Sequence, residues 1–197
     1  MTLNLQNTSN FTPHVRWMAS TSTWKKSTDD GLVEVQIPQA IYDLENIQTG
    51  LGIFAEGEAP EWVMDPSLNE EALNPGDGRL WKRGFLVTMY SDKYLDGARE
   101  FATTATGACR AISALYDQFE QQAGDNPGKV PVVQHDGATP TQIGKGHTNV
   151  PILKIVKWVE RPDALKNGAD ISAAPKQTPV PTPASEPPPT GSYETEF

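Results

Sequence analysis

The sequence predicts a mainly β domain of the α+β kind, and three observations carry that expectation. Val33, Val35 and Ile37 alternate with Glu34 and Gln36, the two-residue period of a half-buried strand. Phe85-Leu86-Val87-Thr88-Met89-Tyr90 is apolar on both faces, as a central strand must be. Phe101, Ala105, Ala108, Ile112, Leu115 and Phe119 recur at spacings of three and four, the stripe of an amphipathic helix. A chain of 197 residues with 37% hydrophobic content can bury one domain with appendages and is too short to favour two large ones.

In chain order, residues 1–12 are rich in Asn, Thr and Ser and read as a flexible arm. His14-Val15-Arg16-Trp17-Met18 follows, then a Ser/Thr-rich turn and Trp24-Lys25-Lys26. Pro38 ends the strand that Val33 begins, and Ile41, Tyr42 and Leu44 suggest a short extended piece. Thr49–Phe54 is a strand whose two glycines permit a bend or bulge. Residues 55–83 form a long acidic surface loop that turns basic only at Arg79-Leu80-Trp81-Lys82-Arg83.

Ser91 and Asp92 supply caps for a helix beginning nearby. Gly107 leaves one kinked helix and two helices both open, and Gly124-Asp125-Asn126-Pro127-Gly128 is the stop. Val130–Gln134 is a short strand whose proline suits an edge, and Val150–Val159 is a long one closed by Arg161-Pro162. From residue 166 onward large apolar side chains almost vanish, so 166–191 reads as a Pro-rich disordered linker and 192–197 as an acidic tip.

Three strands, a helical segment and two strands is the order of an oligonucleotide-binding (OB) fold, a five-stranded Greek-key barrel with its helix between strands three and four. That assigns residues 13–165 to one OB-fold domain. The chain ends Ser192-Tyr193-Glu194-Thr195-Glu196-Phe197 on a proline-rich run. Core, linker and acidic Phe-terminated tip together resemble the single-stranded DNA-binding proteins of bacteria and phages. The tip lacks the denser aspartate run and penultimate proline of the bacterial members, which points to a phage-type member. The resemblance implies that Tyr193, Glu194, Glu196 and Phe197 dock replication and recombination proteins, with the Phe in a pocket and the acids against basic residues. It implies no cofactor and is compatible with a homo-oligomer; no stretch is apolar enough to span a bilayer and the polar start lacks the regions of a signal peptide, so no membrane partner is expected and the cytoplasm is the expected location, the host's if the protein is phage-encoded.

Single strands are held by aromatic rings that stack on bases, each worth ~1–3 kcal/mol, and by cations along the backbone. Three clusters offer both: Arg16-Trp17 with Trp24-Lys25-Lys26; Trp81-Lys82-Arg83; and Lys154, Lys157 and Trp158. Tyr90 on the central strand and Lys145 in the loop Ile143–Thr148 complete the candidate DNA-binding set. Trp24 and Trp81 rank highest, because adjacent lysines make full burial expensive, whereas Trp17 fits a core equally well. Lys154 and Lys157 are an odd number of residues apart, so a regular strand points them to opposite faces unless a bulge intervenes.

Other classes are poorly supported. The formal net charge of −9 runs against the basic balance that phosphate neutralisation usually leaves, so the DNA reading requires a local basic groove on an acidic protein. The loop at Gly144-Lys145 fails the P-loop spacing and lacks its Ser/Thr, and a plain hairpin turn suits it better. His14, His135 and His147 are scattered without metal-ligand spacing, and Glu56, Glu58 and Asp65 lack a partnering base, so no catalytic or metal site is assigned. Cys109, the single cysteine, reads as a buried thiol. The expectation is a sequence-independent single-stranded DNA-binding protein; the alternatives are a protein-interaction adaptor and a strand-annealing recombination protein.

Overall fold

The computed structural model describes residues 12–55 and 58–166; the tip residues Tyr193, Glu194, Glu196 and Phe197, the linker from 167 and the arm to residue 11 lie outside them. The protein is mainly β. Among the described residues ten strands form one sheet: β1 His14–Met18, β2 Thr23–Thr28, β3 Gly31–Val35, β4 Gln39–Tyr42, β5 Gln48–Ile53, β6 Glu61–Met64, β7 Lys82–Ser91, β8 Gly97–Thr103, β9 Lys129–Ile143 and β10 Gly146–Glu160. Helices are α1 Asp92–Leu95, α2 Thr106–Ala123 and α3 Asp163–Lys166.

The order across the sheet is β10-β9-β4-β7-β8-β1-β2-β3, with β5 on β7 and β6 on β5. β7 is central, as the apolar run Phe85–Tyr90 predicts: it pairs with β4, β5 and β8. β4 and β5 run along the same edge of β7, separated by a one-turn 3-10 helix at Leu44–Asn46 that keeps contact through the Asp43 amide, which donates to the Thr88 carbonyl at 2.9 Å. Among the described strands only the β1–β8 pair is parallel. β1 and β10 approach through side chains: the Trp17 indole donates to the Asn149 carbonyl at 2.9 Å, and the Asn149 amide donates to the Ala19 carbonyl at 2.8 Å.

The inner face carries Val15, Trp24, Tyr42, Phe85, Val87, Met89, Phe101, Val133, Leu153 and Ile155, and α2 plugs it with Ala108, Ala111, Ile112 and Leu115. Alternation along each strand explains this set: Val15 lies opposite Phe101, Phe101 opposite Val87, Met89 opposite Tyr42 and Ile155 opposite Val133, all of them inside. α2 is a single helix. Its Gly107 is a point of close approach, where an added Cβ would lie 3.2 Å from the Thr148 methyl of β10.

Four expectations are corrected. Phe101 and the residues before it form a strand, β8, because an αL residue, Asp96 at φ 56°, stops α1 after one turn and Gly97 at φ 112° reverses the chain. Ser91 does cap that short helix, accepting from the Tyr94 amide at 3.3 Å. The strand at Val130–Gln134 is interior, between β4 and β10; its proline is tolerated because the β4 ladder begins only at Val132. The loop 55–83 contains a strand, β6, and a second anchor at Asp65, described below. And β1 and β2, in the polar stretch before Val33, are strands of the main sheet.

Candidate nucleic-acid interface

Cross-strand register determines which of the predicted residues share a face. Lys157 lies opposite Val132, Val132 opposite Ile41, Ile41 opposite Tyr90, and Tyr90 opposite Ala98, so one row crosses five strands on the face turned away from the core. Lys154 lies opposite Gln134, two residues from Val132, and therefore joins the same face. The register slips between Ile155 and Lys157, and that slip is what brings both lysines together despite their odd spacing. Both are exposed, and Tyr90 is half-buried with its hydroxyl donating to Asp92 at 2.7 Å.

A second outward row, Arg16 opposite Lys25 opposite Glu34, lies on β1, β2 and β3. Among the described residues Arg16, Lys25, Lys82, Lys145, Lys154 and Lys157 form no ion pair, which leaves their charge available. Lys26 is different: it faces inward of that row and pairs with Asp96 at 2.5 Å. Lys145 sits at the tip of the β9–β10 hairpin in a two-residue turn whose first position, Gly144, has φ 60°, the conformation such turns need.

The tryptophans are placed otherwise than their lysine neighbours suggest. Trp24 is 5% exposed, tilted against Trp17 and edge-on to Phe101 with centroids 5.2 and 5.1 Å away. Burial costs Lys25 nothing because successive strand residues point to opposite faces. Trp81 is 9% exposed; its indole donates to Asp77 at 3.0 Å and the Arg79 guanidinium lies 4.8 Å over its ring. Trp158 turns to α2, stacked on Phe119 with centroids 5.6 Å apart and donating to Gln122. Trp24 and Trp81 are covered and Trp158 lies on the side of α2, so Tyr90 is the aromatic left on the lysine-bearing surface.

Arg83 is also occupied. Asp65, whose side chain is 3% exposed, takes both guanidinium nitrogens at 2.6 and 2.5 Å, the Thr49 hydroxyl at 2.5 Å and the Ala72 amide at 2.8 Å. The Arg83 hydrogen bonds hold its carboxyl at about 2. This arrangement ties the acidic loop to β5 and β7, a structural task that the sequence reading assigned to no residue.

Further along the outward face the charge changes sign. A hollow of about 620 Å³ is lined by Thr88, Glu100, Asp43, Glu45, Arg161 and Lys166 among others. Arg161 is clamped by Asp43 at 2.8 Å and by Glu45, and burial raises the Glu100 carboxyl. The outward surface is thus cationic at the β9–β10 end and mixed to acidic over β7–β8.

No protein-family model, curated protein or solved structure matches this chain. No helix among the described residues is long and apolar enough to cross a membrane.

Proposed function

We propose that the protein binds single-stranded DNA without sequence preference, through the outward face that carries Lys154, Lys157 and Tyr90, and serves phage replication or recombination with its acidic tip recruiting partners. The observation that carries this reading is the register slip in β10, which places two unpaired lysines and a tyrosine on one surface. Arg16 and Lys25 extend the cationic set on β1 and β2, and Lys82 and Lys145 stand exposed beyond it. Together they supply what single-strand binding requires, cations for phosphates and a ring for a base.

An OB-type arrangement is supported by the pairings. In that fold the first strand pairs with the second and the fourth, the second with the third, and the fourth with the fifth. Taking β4 and β5 as one interrupted strand, the pairs β5–β7, β4–β9, β7–β8 and β9–β10 follow this scheme, with α2 between the third and fourth positions. β1 occupies the edge where the third strand would meet the fifth, and its Trp17 reaches β10. The ten-strand sheet exceeds the five strands expected, through β1–β3, β6 and the division of β4 from β5.

The test is fluorescence anisotropy of labelled oligo-dT over a salt series. The native protein binds most tightly at low salt. Converting both Lys154 and Lys157 to Ala weakens binding and lowers the slope of log affinity against log salt by about 1.4, since each single-strand phosphate contact contributes ~0.7. Tyr90→Ala costs ~1–3 kcal/mol if the ring stacks on a base. No anisotropy change at low salt sinks the reading. A label on the DNA is preferable to intrinsic fluorescence because Trp24, Trp62 and Trp81 are buried.

The adaptor reading draws support from the burial of Trp24 and Trp81, the pairing of Arg83 and the charge of −9. It predicts no DNA binding, and loss of a partner on deleting Phe197.

A further inference from the structure

The strands at the two ends of the sheet order are not treated alike. β10, at one end of the strand order, interrupts its ladder with register shifts at Pro151/Leu153 and Ile155/Lys157 and displays Lys154 and Lys157, the devices that keep an exposed edge from pairing with another chain. β3, at the other end, has neither. Its ladder to β2 runs unbroken from Trp24↔Val35 to Thr28↔Gly31, it contains no lysine or proline, and Leu32 and Val33 are each 40% exposed on opposite faces. Its one charge, Glu34, already stands opposite Lys25. Among the described residues no strand pairs with its outer side.

Hydrogen-bond geometry fixes what that side presents. In a two-residue hairpin the closing pair, here Thr28 and Gly31, bonds to itself, so alternate residues Leu32 and Glu34 turn their amides and carbonyls outward. We infer that β3 pairs with β3 of a second copy of this chain, antiparallel about a two-fold axis through Val33, extending the two sheets into one.

The register follows from charge. A two-fold axis perpendicular to the sheet requires that facing residues point the same way, so the centre of the pairing falls on a residue and not between two. Centred on Glu34, the pairing sets two carboxylates against each other; centred on Leu32, it sets Glu34 against Asp30. Centred on Val33, it sets valine on valine, Leu32 on Glu34 and Gly31 on Val35, with no carboxylates facing, and Leu32 and Glu34 then form the hydrogen-bonded pairs. That register therefore satisfies backbone, side-chain packing and charge together. A second copy fits better than an unrelated strand because the segment is complementary to itself. Two five-residue strands bury far less than the ~1,200–2,000 Å² of stable interfaces, so the dimer is weak and concentration-dependent. Each copy carries −9, and added salt strengthens the association by screening that repulsion.

Sedimentation over micromolar to millimolar concentration tests this with the full chain. The expected result is a mass that rises towards twice the monomer, more readily at high salt. Leu32→Pro removes one outward amide without touching the β2 ladder, and Val33→Lys sets two cations at the axis; each holds the protein as a monomer while circular dichroism stays native. Because a valine pair that is not hydrogen-bonded has Cα atoms ~4.5 Å apart, within disulfide range, Val33→Cys in a Cys109→Ser background crosslinks rapidly on mild oxidation, and Val35→Cys does not. A protein that stays monomeric throughout, a dimer that survives both edge variants, or equal crosslinking at the two cysteine positions each overturns the proposal.

Discussion

His135 illustrates how a single side chain can set the acid response of this protein. Its ring lies 5.0 Å from that of Trp24 and its Nε2 is 3.0 Å from the Tyr42 hydroxyl, while its Nδ1 is buried without a hydrogen-bond partner among the described residues. Burial pulls its pKa down to about 4. Between that value and the ordinary 6.5 the unfolded chain takes up the proton and the folded one does not, so stability is full above about 6.5 and falls as pH drops towards 4. Asp65, held at about 2 by Arg83, gives a second loss as pH falls from 3.8 towards 2. Melting temperature against pH should show both declines, and His135→Gln should shrink the upper one, to which His14, also lowered by burial, still contributes, and leave the lower one in place. At this scale the sequence was a poor guide to burial. Lysine neighbours marked Trp24 and Trp81 as surface residues, yet strand alternation separates Trp24 from Lys25, and Asp77 and Arg79 supply the polar partners that let Trp81 be covered.

Among the elements, β5 and β7 depend on glycine for a reason other than the bend or bulge that the sequence suggests for β5. Gly52 and Gly84 lie under the Trp62 ring, where a Cβ would fall 2.9 Å from ring carbons. At Gly84 it would also lie 2.4 Å from the Thr103 carbonyl, which belongs to backbone and cannot swing aside. Gly84→Ala should therefore destabilise by about 1–3 kcal/mol. Gly124, in open space with φ −58°, should gain about 0.4–1 kcal/mol when replaced by Ala, through the unfolded chain. Chemical denaturation of the two variants measures the contrast. The strands β5, β7 and β10 and the body of α2 were legible because each is long or strongly periodic. β8 was not: Phe101 falls four residues before Ala105 and seven before Ala108 by coincidence, and only the reversal at Asp96-Gly97 assigns it to a strand.

For the molecule as a whole, charge is the governing quantity. Arg79, Arg83 and Arg161 are neutralised by Glu61, Asp77, Asp65, Asp43 and Glu45, and among the described residues most of the cations left unpaired stand on outward sheet faces and hairpin tips. If the acidic tip competes with DNA for them, removing residues 175–197 should raise oligo-dT affinity, most at low salt where screening is weakest. Equal affinities for the full and shortened chains would refute that competition.

By itself the sequence determined the mainly β class, the position of the central strand, the helix that follows, and the separation of an apolar core from a Pro-rich, acid-tipped end. These depend on local period and composition, which any window of the chain displays. Tertiary structure decided which cations are free, which aromatics are covered, and that Lys154 and Lys157 share a face. Those outcomes rest on pairings between residues far apart in the chain, and on a one-residue slip in register that leaves no mark in local sequence but reverses the direction of every side chain beyond it.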